Sequence, residues 1–376
     1  MADYKKYQSD GVSAEDKALD KFAELMIEKI ESLKNSDSWK QPWFTEGSLR
    51  WPRNLSGREY NGMNALLLMM LCEKQNYKLP VFCTFNRAVG LNYTTDKQGA
   101  KKSITDADGQ PLPRVGINKG EKSFPVMLTT FTVVDKDTKE KINYEDYKRL
   151  SNDEKAQYNV YPKLNVYQVF NVDQTNLKEA RPDLYAKLES ENKLQRPFSG
   201  EGESFKFPAM DAMIAENKWI CPINLVHQDN AYFSISKNQI TLPEKSQFKD
   251  GESFYGTAFH EMTHSTGTAE MFNRFNPESG FGSAEYAKEE LVAELGSALV
   301  AQRYGMTKNL KDDSAVYMKS WLDSLKESPS FIKTTLMDVK RATSVITQRI
   351  DEVALELEAK QSQTNDKSVS MDAEAK

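Results

Sequence analysis

Apolar residues recur at helical spacing in some stretches of the chain and at strand spacing in others. In "SAEDKALDKFAELMIEKIESLK", Leu19, Phe22, Leu25 or Met26, and Ile30 return every three or four positions, and Ser13 with Asp16 has the form of a helix cap. The spacing predicts an amphipathic helix. "NALLLMMLCEK", from Asn64, is apolar almost all round and predicts a buried helix. The β-branched and aromatic runs Val126–Val134 and Leu164–Val172 predict two paired strands, with polar residues 135–163 as a solvent-exposed insertion between them. Further on, "NAYFSISKNQITLP" reads as a strand pair ahead of two helices, one around "GTAFHEMTHS" and one over Ser283–Gly305. The expectation is a two-domain α+β fold with domains at 13–177 and 206–350. Residues 1–12 form a flexible start and 178–205 a charged, Pro- and Gly-containing linker. The stretch 351–376, with seven acidic and three basic residues, predicts a disordered acidic tail.

Composition narrows the class. A length of 376 residues suits two or three domains, while 39% hydrophobic residues and a mean hydropathy of −0.66 predict solvated loops and tails. No run approaches the ~18 apolar residues of a membrane span, and the N-terminal stretch has no signal-peptide core, so the expected location is the cytoplasm, without a membrane partner. Cys72, Cys83 and Cys221 lack CxxC spacing and read as reduced, buried thiols.

Charge is unevenly placed. The chain carries −5 overall, yet Ser38–Pro125 holds 13 Lys and Arg against 7 Asp and Glu, together with ten aromatic residues that include Trp39, Trp43 and Trp51. Basic charge interleaved with rings suits single-stranded nucleic acid, where cations follow phosphates and rings stack on bases. Core packing of the tryptophans and an ordinary solvated surface are the alternatives.

"HEMTH" is an HExxH motif: His260 and His264 lie one helical turn apart, and Glu261 can activate a water at a shared metal. These are two of the three histidines in the chain, and their neighbours are uncharged. Gly267 supplies the expected helix stop. No third histidine follows, so the third ligand must come from elsewhere. Glu290 and Glu294, one turn apart in an apolar setting, fit as zinc ligand and as the acceptor that orients a histidine, with Glu294 the alternative ligand. Glu285 and Glu289 read as solvated.

Up to about residue 350, the chain resembles the ArdC-type antirestriction proteins of conjugative plasmids and related mobile elements. The resemblance rests on "WKQPW", "PRNLSGREYNGMN", "NKGEKSFPV" and "YQVFNVDQT" in the first half. In the second it rests on "AYFSISKNQITLPEKSQF", "FYGTAFHEMTHSTG" and "YAKEELVAELGSAL". It implies a single-stranded-DNA-binding domain over 13–177, a zincin-like metallopeptidase domain over 206–350 holding Zn2+, and protection of incoming DNA from host restriction. Host restriction-modification proteins are a second class of implied partner. Residues 135–163, Thr268 and Met271 depart from the family pattern. In zincins a sheet edge beside the HExxH helix binds an extended peptide, a part open to Tyr232 or the "SISKNQI" backbone. For DNA the candidates are Arg53, Arg58, Tyr60, Asn61 and Asn64 around a glycine turn before a helix, with Trp43, Arg87, Lys119 and Lys122. The competing function is a non-catalytic protein that binds DNA or a restriction enzyme and whose zinc is structural. The peptide substrate of the catalytic reading is not specified by any motif.

Overall fold

The computed structural model describes residues 13–34, 51–96, 99–192, 198–199, 205–275, 283–306, 314–327 and 329–374. Contacts divide the chain into two compact units, Met1–Phe22 with Phe82–Leu184, and Ala23–Val81 with Tyr185–Lys376. The expected 13–177 domain is thus crossed by the division, and the reason lies in helix Met63–Gln75. Its residues Leu66, Leu67, Leu68, Met69, Met70 and Cys72 are all buried, so both sides of the helix need cover. That cover comes within the second unit, where Gly62 lies against the side chain of Lys340 and Glu73 pairs with Lys29 at 2.8 Å.

The first unit is built on a long antiparallel hairpin, Phe124–Asp135 paired with Tyr158–Asn171 in unbroken register from Phe124↔Val169 to Asp135↔Tyr158. Val81–Cys83 borders it on one side and Lys141–Ile142 on the other. The expected 135–163 insertion is shorter than its polarity suggested. Residues 158–163 belong to the ladder, where backbone pairing tolerates exposed polar side chains, and only the turn between the strands carries the short helices Tyr144–Arg149 and Asn152–Lys155. Ser13 does cap the first helix, accepting from the Asp16 amide at 3.0 Å. The linker expected from residue 178 starts as structure: Leu177–Ala180 and Pro182–Ser190 are helical and bury Leu177, Ala180, Tyr185 and Leu188.

In the second unit, strand Gln239–Pro243 pairs antiparallel with Tyr232–Ser234 and parallel with Ile223–Val226. Helix Gly251–Ser265 follows, capped by Asp250, whose side chain accepts from the Ser253 amide at 2.7 Å. Helix Ala284–Arg303, capped by Ser283, packs against it. The closeness of that packing is set by Gly296, where an added Cβ would stand 2.8 Å from Thr263 Cγ2. A third helix, Pro329–Glu374, presents Ile332, Leu336, Val339, Ile346, Ile350 and Val353, all buried. Of the stretch expected to be a disordered tail, the residues through Glu374 continue this helix. Its buried Val353 and partly buried Leu357 are diluted in composition by Glu352, Glu356 and Lys360. All three are engaged: Arg349 bonds Glu352 at 3.1 Å, Lys218 bonds Glu356 at 2.6 Å, and Lys360 lies 3.7 Å from Glu216.

Among the described residues no helix is long and apolar enough to cross a membrane. The three cysteines are buried and unbridged, and burial pushes the Cys83 and Cys221 thiols up to about 11.

Candidate metal centre

The i and i+4 positions of helix Gly251–Ser265 put His260 and His264 on one face, their Nε2 atoms 3.2 Å apart. Across from them helix Ala284–Arg303 brings Glu290, with Oε2 at 3.5 Å from His260 Nε2 and Oε1 at 3.7 Å from His264 Nε2. Metal bonds of about 2.0–2.1 Å in a tetrahedron separate neighbouring ligand atoms by about 3.3–3.4 Å. The two imidazole nitrogens stand close to that spacing, each faces a different oxygen of the Glu290 carboxylate, and the donor set of two imidazoles and a carboxylate suits a divalent cation. Glu261 is buried beside His260, and its charge is among those that raise the His264 pKa.

Each histidine has a carboxylate behind it. His260 Nδ1 faces Glu294 Oε1 at 3.6 Å, and Glu294 is fully buried. His264 Nδ1 lies 3.2 Å from Glu289 Oε1. The reading of Glu289 as solvated is corrected here. Arg274 covers it, with Nε donating to Oε2 at 2.9 Å and Nη2 to Oε1 at 2.8 Å. The remaining Arg274 donors reach Thr266 Oγ1 at 2.9 Å and the Thr263 carbonyl at 2.8 Å. Burial would raise the Glu289 pKa, but the Arg274 and His264 bonds outweigh it and hold the carboxyl below its ordinary value. For His264, burial opposes the charge, yet the Glu289 bond and the charges of Glu290, Glu289 and Glu261 raise its pKa. Tyr286, one turn before Glu290, is half-buried and hydrogen-bonded to it. Glu285 is exposed.

Glu289 and Arg274 escaped the sequence reading. Arg274 lies ten residues past His264 in a loop with no local pattern. The available signal was that Glu289 adjoins a ligand candidate. Gly267 differs in reason as well. It is not left-handed but admits the Phe275 ring and the His264 carbonyl, 2.9 and 3.0 Å from where a Cβ would stand.

The DNA candidates are not gathered into one unit. Arg53, Arg58, Tyr60, Asn61 and Asn64 lie in the second unit, Arg87, Lys119 and Lys122 in the first, and Trp43 falls outside the described residues. Arg53 Nη1 pairs with Glu191 at 3.0 Å, and its side chain is mostly buried. Arg58, Asn61, Arg87, Lys119 and Lys122 are exposed, and Tyr60 and Asn64 partly so. Tyr232 stands exposed on the edge strand beside Gln239–Pro243.

Comparison with known proteins defines the class. Residues 16–170 match the family described as the N-terminal domain of anti-restriction factor ArdC, and residues 208–336 match the zincin-like metallopeptidase family. The chain is a two-domain α+β protein that joins these modules in that order, and it belongs to the ArdC type. Two Escherichia coli proteins named DNA primase TraC are similar. One is 29% identical over 352 residues, covering 91% of this chain and 20% of its own length, and the other 25% over 325 residues, covering 86% and 26%. The chain thus spans between a fifth and about a quarter of these relatives. The uncharacterized protein y4eC of Sinorhizobium fredii is 33% identical over 104 residues, 28% of this chain and 34% of that protein. Two crystal structures of the antirestriction protein ArdC from plasmid R388 share the fold at TM-score 0.59 and 22% identity. The metal-free one covers 89% of this chain and 98% of its own, and the Mn(II)-bound one covers 88% and 97%.

Proposed function

We propose that this chain is an antirestriction protein of a conjugative or mobile element that binds single-stranded DNA and holds one divalent ion, zinc by its donor set, at His260, His264 and Glu290. The observation that carries the reading is the joining of an ArdC N-terminal module to a site where the His260 and His264 Nε2 atoms lie 3.2 Å apart and the two Glu290 oxygens face them at 3.5 and 3.7 Å. When bound, the ion would polarise a carbonyl and acidify water. The other parts belong to the chain's own groups. Glu261 takes the proton from the attacking water as general base, and Glu294, facing His260 Nδ1 at 3.6 Å, is the carboxylate placed to orient that ring. The edge strand at Tyr232 offers main-chain hydrogen bonds to an extended peptide.

A second reading, in which protection comes from covering DNA and the metal only braces the fold, has its own support. The hairpin register puts Val126 with Tyr167, Leu128 with Asn165, Thr130 with Lys163 and Thr132 with Tyr161 on one face. Tyr161 and Tyr167 are 56% and 42% exposed, and Lys163 is the only charge among those eight residues. On the opposite face, near the tip, Phe131 stacks on Tyr144 at 4.2 Å. Open rings with a lysine and no carboxylate suit stacking on unpaired bases, at about 1–3 kcal/mol per ring. The test uses the full chain. It should bind a single-stranded oligonucleotide better than the duplex, with affinity that falls as salt rises, and replacing Tyr161 and Tyr167 together by alanine should weaken binding. Equal affinity for both forms removes the single-strand reading, and an unchanged double variant removes this face.

A further inference from the structure

We infer that Arg274 and Glu289 form a positioning relay that sets the ring of His264 for metal binding, an inference that rests on the ligand set proposed above. A neutral imidazole can offer a lone pair from one nitrogen only when the proton sits on the other. Glu289 Oε1, 3.2 Å from His264 Nδ1, accepts a hydrogen bond from Nδ1–H, which keeps the proton there and leaves Nε2, the atom facing Glu290 and His260, as the donor to a cation.

Glu289 cannot hold this place alone, because a buried carboxylate needs a partner for each oxygen. The Arg274 fork supplies both, at 2.9 and 2.8 Å. Its other two bonds, to Thr266 Oγ1 and the Thr263 carbonyl, fasten the guanidinium to the end of the helix that carries His264. One side chain from the loop thereby joins the end of the HExxH helix to helix Ala284–Arg303, and through Glu289 it fixes the second histidine. His260 is oriented by a separate device, since its partner Glu294 sits on the same helix as Glu290 and needs nothing from the loop. Lysine cannot replace Arg274, because a single ammonium does not match two carboxylate oxygens and two further acceptors at fixed angles.

The plain alternative is an ion pair that only holds the loop to the helix. The two separate on metal affinity. Zn(II) dissociation constants would be measured on the full chain by chelator competition. Co(II) absorption would serve as a reporter of ligand geometry, and thermal unfolding of the metal-free protein would report the fold. Arg274→Lys and Glu289→Ala should each weaken Zn(II) by about 10–100-fold and alter the Co(II) spectrum. Glu289→Gln, which keeps an acceptor oxygen, should recover part of the loss. Combining Arg274→Lys with Glu289→Ala should cost little beyond the worse single change, since both act through one ring. Should a variant prove too unstable to purify, Arg274→Lys and Glu289→Gln, the two mildest changes, carry the test. Zn(II) affinity and Co(II) spectrum left as in the parent protein, with only the unfolding temperature lowered, would overturn the relay and leave the ion pair. Zn(II) binding that survives His264→Ala would overturn the ligand set itself, and the relay with it.

Discussion

Replacing Gly296 by alanine should loosen the metal site without touching any residue in it. The new Cβ would stand 2.8 Å from Thr263 Cγ2 and 3.1 Å from Thr263 Oγ1, closer than side chains approach. Thr263 cannot easily turn away, because it is fully buried and its hydroxyl donates to the Phe259 carbonyl at 2.8 Å. Two effects compete. Alanine in place of glycine within a helix gains about 1 kcal/mol. Overpacking a buried contact costs about 1–3 kcal/mol, and giving up the Thr263 hydrogen bond would cost about 0.5–1.5 kcal/mol more. The loss should win by about 1 kcal/mol. The relief available is a parting of helices Gly251–Ser265 and Ala284–Arg303, which carry the histidines and Glu290 respectively. Metal affinity should therefore fall together with stability. Denaturant unfolding in chelator gives the first quantity and Zn(II) competition the second. Thr263→Ser, which removes the offending methyl and keeps the hydroxyl, should restore both in the Gly296→Ala background. A Gly296→Ala protein about 1 kcal/mol more stable than its parent, with unchanged Zn(II) affinity, would refute the argument.

Glu261→Gln should leave the fold and metal content nearly intact, and protection of plasmid transfer into a restricting host should survive it if DNA covering is the mechanism. Loss of protection at normal protein level and metal content would instead point to cleavage of a restriction component. Neutralising Lys119 and Lys122 should reduce the salt dependence of single-stranded DNA binding, whereas Arg53→Ala should lower the unfolding temperature through its pair with Glu191 and leave the salt slope alone; the opposite pattern would make Arg53 a phosphate contact. Cys83 and Cys221 should resist alkylation in the folded chain. Because the unfolded thiols release their protons from about 9.0 and the folded ones only near 11, stability should fall as pH climbs through that interval. A flat profile there would contradict the burial of the two thiols.

What the chain's sequence determined by itself was whatever depends on near neighbours. A four-residue step places His260 with His264, and Glu290 with Glu294, on single helical faces wherever those helices lie. The all-round apolar character of "NALLLMMLCEK" likewise dictates burial, and alternating β-branched runs dictate the hairpin strands. Tertiary structure alone decided which faces meet and which charges are neutralised. Glu285 and Glu289 look alike along the helix, yet one is solvated and the other is enclosed by Arg274, because a loop returns there and no local spacing encodes that return. Arg53 reads as a free cation until Glu191, far along the chain, pairs with it. The acidic stretch from residue 351 reads as solvated until Val353 and the Lys218–Glu356 bond show what one face of it packs against. In each case the deciding partner is distant in sequence. Its contribution exists only after chain entropy has been overcome by burial elsewhere, so it leaves no mark on the local pattern.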